Sequence, residues 1–196
     1  MIQFNNKYEG KWQSHMTRCD WAKSGLEISY HDLEWGKPKY NDAMLFEMLI
    51  LEGMQAGLSW STILAKRENY RQALDGFNPQ KIKDYNQDKL DELLQNAGLI
   101  RNRLKMQAIV KNAKAFIQVQ SEFGSFSTYL WQYVLGKPIQ HDYHHFSEVP
   151  ATTPISEKMS KDMKKRGFSF VGPTICYAYM QSVGLVNDHL VSCDYR

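Results

Sequence analysis

Residues 42–60 read DAMLFEMLILEGMQAGLSW, and their spacing predicts a helix closed by a glycine turn. With Asp42 as its cap, Leu45, Met48, Leu49 and Glu52 fall at i, i+3, i+4 and i+7, so that a carboxylate projects from an apolar stripe. Burying an ionised carboxylate costs several kcal/mol unless a partner or a task compensates. Glu52 is therefore either the wet end of a short helix, just before Gly53, or a residue with a function. After the turn at Gly57-Leu58, the stretch STILAKRENYRQALD (61–75) sets Ile63, Leu64, Arg67, Tyr70 and Leu74 at helical spacing, which predicts a second helix following Trp60.

Toward the C-terminus, Asn78-Pro79 is a cap followed by proline at the first helical position, and Asp88 repeats the capping signal before LDELLQNAG. Leu90, Leu93, Leu94 and Ala97 form one face, and Gly98 ends that helix. Leu104, Ala108, Ile109, Ala113 and Phe116 resume the period after Arg101-Asn102-Arg103, which predicts an αα-hairpin with a basic turn. Further helices are expected around 126–135, 155–166 and 174–185, with Gly167 and Gly184 as stops and a long polar loop over 139–154. Few alternating runs are long enough for strands, so the fold class is all-α. Residues 1–18 are polar with scattered aromatics (Phe4, Tyr8, Trp12) and read as an extension. Residues 19–196 read as a single domain, large enough for one core or two lobes.

Composition excludes several classes. A hydrophobic content of 43% with mean hydropathy of −0.52 is that of an ordinary globular chain, and no apolar run approaches the roughly 18–20 residues that span a bilayer. The first residues carry no apolar segment of the secretory kind, and a cytoplasmic protein is expected. The net charge of +3 and pI near 8.6 permit nucleic-acid binding without singling it out. Basic residues gather in two groups, Arg101, Arg103, Lys105, Lys111 and Lys114, then Lys158, Lys161, Lys164, Lys165 and Arg166, each either a solvated helix face or a phosphate-binding surface.

Three cysteines cannot all pair, so a disulfide framework is not expected. His189 and Cys193 stand four apart, a spacing that would put both on one face of a helical turn, while Cys19 and His31 stand near the start of the domain. Together they offer two thiolates and two imidazoles, the full complement of a tetrahedral zinc with no position left for a catalytic water, hence a structural site joining the domain's two ends. Cys176, in TICYAYM, reads as a core thiol.

The strings YHDLEWG (30–36), LFEMLILEGMQAGLSW (45–60), KKRGFSFVGPTICYAYMQ (164–181) and GLVNDH (184–189) resemble bacterial 3-methyladenine DNA glycosylase I, of the helix-hairpin-helix superfamily, and the likeness runs from about Cys19 to Cys193. It implies base-excision repair of double-stranded DNA carrying alkylated adenine: a monofunctional enzyme that everts 3-methyladenine, releases the free base and leaves an abasic site. It also implies a zinc ion on Cys19, His31, His189 and Cys193, the four ligands already inventoried. The base pocket implied is Glu52, with Tyr30, Trp60 and Trp21; Glu52 would accept from the exocyclic amine and complement the positive charge. The DNA contacts implied are a wedge at Gly57 and Leu58 and a phosphate held at the hairpin by Gly98, Arg101 and Arg103. A monomer is expected.

The hairpin has one glycine where two are typical, Ala178 stands where a serine is common, and the Cys19–His31 segment is a residue shorter than usual. No aspartate lies between Asp91 and Asp142, which fits a family lacking the superfamily's catalytic aspartate. Two rivals remain open on the residues alone: a non-catalytic helical DNA-binding module, and a zinc-dependent hydrolase with an open coordination position.

Overall fold

The computed structural model describes residues 16–196. The extension expected over 1–18, with Phe4, Tyr8 and Trp12, lies outside the described residues except for its end. There Thr17 and Asp194 exchange hydrogen bonds, and the Arg18 guanidinium pairs with Asp32 at 2.7 Å.

The molecule is built round α2 (Asp42–Gln55). Leu45, Phe46, Met48, Leu49, Ile50 and Leu51 are all buried, so beyond its exposed first turn the helix is enclosed on more than one stripe. Around it pack α3 (Trp60–Ala73), α6 (Arg103–Phe123), α7 (Phe126–Trp131) and α9 (Pro173–Ser182). The helix starts one residue from where the sequence suggested. Asn41 is the cap, accepting from the amides of Ala43 and Met44. Asp42 instead accepts from the amides of Phe126 and Ser127, both at 2.8 Å, and so caps the neighbouring α7.

The remaining helices are α1 (Gly25–Leu33), α4 (Pro79–Ile82), α5 (Gln87–Gln95) and α8 (Pro154–Lys165). Ser24 and Glu27 close a capping box on α1, and Asn78-Pro79 opens α4 as expected. The cap of α5 is Asn86, not Asp88, and its helix stops at Gln95, before Gly98. On α6 the first turn runs opposite to the expectation: Leu104 is exposed, while the neighbouring Lys105 is buried with Met106, Ile109, Ala113 and Phe116. The helix expected over 126–135 ends at Trp131 and finishes as a 3-10 turn, and the one expected over 174–185 ends at Ser182.

All-α holds for the scaffold, with one parallel two-residue pairing, β1 (Ile139–Gln140) on β2 (Val186–Asn187). It fastens the polar loop to the C-terminal segment, together with the His141 imidazole on Asp188 at 2.6 Å. The buried apolar residues form one continuous core. No helix among the described residues is long and apolar enough to cross a membrane.

Candidate active site and metal-ligand cluster

Where α1, α2, α3 and α9 converge they leave a cavity of about 240 Å³. Trp21, Tyr30, Glu52 and Trp60, named separately from the sequence, all line it. Tyr30 comes from α1; its ring centre is 5.1 Å from that of Trp60, tilted by 55°, and 6.3 Å from that of Trp21. Trp60 opens α3 directly after its cap Ser59.

Glu52 is not a wet helix end: it is only 4% exposed. Burial pushes its carboxyl up to about 8, against a partial lowering from the Ser182 hydroxyl. The Tyr30 hydroxyl is likewise raised, by burial first and then by the charge of Glu52. The indole N–H groups of Trp21 and Trp60 and the hydroxyl of Tyr30 are buried with no partner among the described residues. A polar hydrogen left unpaired in a dry site costs about 1–3 kcal/mol.

Beside this cavity runs the turn from α2 to α3. Gly57 sits at φ +78°, the left-handed region that favours glycine, and Leu58 is 40% exposed rather than packed in the core. The turn is held from below by Lys105 of α6, whose ammonium donates to the carbonyls of Met54 at 2.8 Å and Ala56 at 2.7 Å. A cation on the free carbonyls of a helix end is favourable.

The hairpin between α5 and α6 presents Arg101 and Arg103 to solvent, the latter 3.3 Å from Asp91. The Gly98 amide donates to the Asn96 side chain and the Ile100 amide to the Tyr70 hydroxyl, so both are occupied within the fold. The Asn102 side chain accepts from Lys105 and leaves the first amides of α6 without an intrahelical acceptor. In the second basic group Arg166 is committed to Glu122 and Asp162 and lies over Phe123 and Tyr129, whereas Lys164 and Lys165 are exposed.

Cys19, His31 and Cys193, all buried, hold their ligand atoms within 4.8 Å of one another, an arrangement that could bind a metal. His189 is beside them, its ring 4.8 Å from that of His31, but stands outside that close group. Its Nδ1 contacts the Asn187 side chain at 2.7 Å and its buried Nε2 has no partner among the described residues. The expected helical turn over 189–193 is absent: the segment is irregular, and Gly36 lets it in, since a Cβ there would lie 2.9 Å from the His189 ring. Burial pushes the Cys19 thiol up to about 12 and His189 down to about 4. Asp32, paired with Arg18, meets His31 Nδ1 at 2.8 Å and leaves Nε2 to face the Cys193 sulfur at 3.5 Å.

The sequence reading missed Glu27, Trp35, Gln55, Phe146 and Gln181 as cavity residues. Gln181 lies within one of the quoted strings, but nothing in the spacing of Phe146, inside a polar loop, marked it. Cys176 is a buried core thiol, as expected.

An aromatic slot with a carboxylate in its wall, carried on helices, has the chemistry of a nucleobase-binding site. The chain belongs to the methyladenine glycosylase family, whose model matches residues 21–196. It is 50% identical over 178 residues to the DNA-3-methyladenine glycosylase of Haemophilus influenzae, covering 90% of this chain and 96% of that protein. The crystal structure of a 3-methyladenine DNA glycosylase I superposes with a TM-score of 0.89 at 47% identity, over 91% of this chain and 98% of the other. A single-residue variant of such an enzyme, solved in complex with 3-methyladenine, superposes at 0.86 with 36% identity, over 88% and 93%.

Proposed function

We propose that this protein removes 3-methyladenine from alkylated double-stranded DNA, hydrolysing the glycosidic bond, releasing the free base and leaving an abasic site. The observation that carries the reading is the single cavity that Trp21, Tyr30 and Trp60 line together with the raised carboxyl of Glu52. Such a slot suits a flat ligand that stacks on its rings and meets the carboxyl with a polar edge.

A base inside a duplex must be everted, at a cost of a few kcal/mol. Stacking against Trp60 returns about 1–3 kcal/mol and a cation over an indole about 0.5–2 kcal/mol. Leu58, exposed on the turn, would fill the gap left in the stack, with Gly57 giving the turn its backbone conformation. A cationic base entering the slot opposes the effect of burial on Glu52 and draws its proton off. The resulting carboxylate accepts from the exocyclic amine and balances the charge. No lysine among the described residues lines the cavity, which supports simple hydrolysis over a Schiff-base route. The absence of aspartate between Asp91 and Asp142 supports a site that exploits the lability of its substrate.

In this reading α5 and α6 act as the helix-hairpin-helix, with the first amides of α6 and Arg101 toward a DNA phosphate. Cys19, His31, His189 and Cys193 would hold a structural zinc: two thiols and two imidazoles suit it, and the orphaned Nε2 of His189 supplies the fourth donor. Bound there, the ion supplies a cross-link and no chemistry; none of the four lines the cavity, which speaks against the hydrolase alternative. A module that only binds DNA needs no such cavity. The protein would act as a monomer in the cytoplasm.

The test is to incubate the protein with methylated duplex DNA and separate the released bases chromatographically. Free 3-methyladenine with abasic strands is expected; its absence overturns the reading.

A further inference from the structure

Among the described residues the base cavity carries two acidic side chains, Glu52 at its wall and Glu27 from the first turn of α1, and no lysine, arginine or histidine. Phe146 also lines the cavity while remaining 48% exposed. A half-exposed phenylalanine is ordinary when isolated, but one opening onto an aromatic slot is placed for contact with whatever enters.

Both residues are held firmly. One oxygen of Glu27 accepts from the amides of Ser24 at 2.9 Å and Lys23 at 3.3 Å. Phe146 opens a 3-10 turn whose approach is fixed by Glu148, which accepts from the His144 amide at 2.7 Å. The loop is tied to the C-terminal segment by the Val191 amide on the Tyr143 carbonyl at 2.9 Å and by His141 on Asp188.

We infer that Glu27 and Phe146 form a charge-selecting mouth, which favours entry of positively charged alkylated purines over neutral ones. This rests on the glycosylase reading given above. The division of labour follows from the two environments. Amide donors hold the Glu27 carboxyl below its ordinary value, so it stays ionised at neutral pH, while buried Glu52 holds its proton until a cation arrives. The permanent negative charge an incoming base meets is therefore Glu27. The ring of Phe146 adds a cation–π surface to the same entrance. Neutral adenine gains no charge attraction from either.

The experiment compares two probes for binding to the full chain: 3,9-dimethyladeninium, a fixed cation, and free 3-methyladenine at pH 8, which is neutral. Glu27→Gln removes the charge but keeps an acceptor suited to the capping box. It is expected to weaken the cation about threefold to tenfold at low salt, less at high salt, and to leave the neutral probe within about twofold. Phe146→Ala is expected to cost the cation about twofold to fivefold more than it costs the neutral probe, which loses stacking alone. Retained affinity for the neutral probe doubles as the check that each variant is folded. Equal weakening of both probes, or no weakening of the cation, overturns the mouth. If the parent releases 3-methyladenine and both variants discriminate as the parent does, only this inference fails; if the parent neither binds the probes nor releases the base, the glycosylase reading fails with it.

Discussion

The ammonium of Lys105 lies 2.7 Å from the carbonyl oxygen of Ala56, joining the second helix of the hairpin to the turn that carries Leu58. Burial lowers its pKa, yet two carbonyls at the end of α2 hold the charge in place. Lys105→Met keeps the apolar stem and removes the donor. We expect a loss of about 1–3 kcal/mol in urea denaturation, since two carbonyls lose a charged partner. We also expect excision from duplex DNA to fall more than affinity for free 3-methyladenine. Unchanged stability would mean that the turn holds itself.

Glu52 predicts a pH dependence whose sign is fixed by its raised carboxyl. The native state holds this proton more tightly than the unfolded chain does. The associated stability is therefore full below about 4.5 and is lost as pH rises toward about 8. Glu52→Gln removes that slope, and above pH 8 the variant should be more stable than the parent by on the order of 2–4 kcal/mol. For activity the direction reverses, because the cationic base needs the ionised form. Parental kcat/KM on 3-methyladenine DNA should rise with pH through a midpoint near 8 and level above it, while Glu52→Gln is flat and about 10- to 100-fold below that plateau. A parental profile flat from pH 6 to 9 would remove Glu52 as the cation's partner.

Much of this site was legible because its residues sit in long consecutive strings: Tyr30, Glu52 and Trp60 each lie in one. What spacing alone left open for Glu52, burial decided. The misreadings have a common physical cause, that a polar residue's role depends on which neighbour it meets. Asp42 has the composition of a cap and is one, but for α7. Lys105 reads as one more charge in a basic group, and the location of its acceptors on α2 cannot be seen in its own helix. Arg166 likewise reads as a phosphate contact until Glu122 and Asp162 are found on either side of it. His189 and Cys193 have helical spacing in a segment that the close approach at Gly36 and the β1–β2 pairing hold irregular.

Leu58 separates folding from function. Exposed on its turn, it makes little contribution to the core, so Leu58→Ala should leave stability within about 0.5 kcal/mol. If the side chain fills the space of an everted base, duplex excision should fall about tenfold, the equivalent of roughly 1.4 kcal/mol of lost apolar contact. Affinity for the free base should not change, since nothing is everted to bind it. A variant with parental excision rates would show that the gap is filled by another group.

The metal-ligand cluster makes a prediction that needs no DNA. Two thiols and two imidazoles enclosed together, with the Cys19 thiol raised to about 12 and His189 Nε2 unpaired, form a poor interior on their own and a good one around a cation that takes the thiol protons. Purified protein should carry about one zinc per chain by elemental analysis. Chelation, or Cys193→Ser, should remove it and lower Tm by about 6–12 °C, for a loss of about 3 kcal/mol from a cross-link between the chain's ends. Cys176→Ser is the control: its sulfur contacts the Val171 carbonyl at 3.4 Å, away from the cluster, so zinc content should stay at the parental value. Protein that is metal-free yet as stable as the zinc-loaded form would mean that the four side chains pack as an ordinary polar interior.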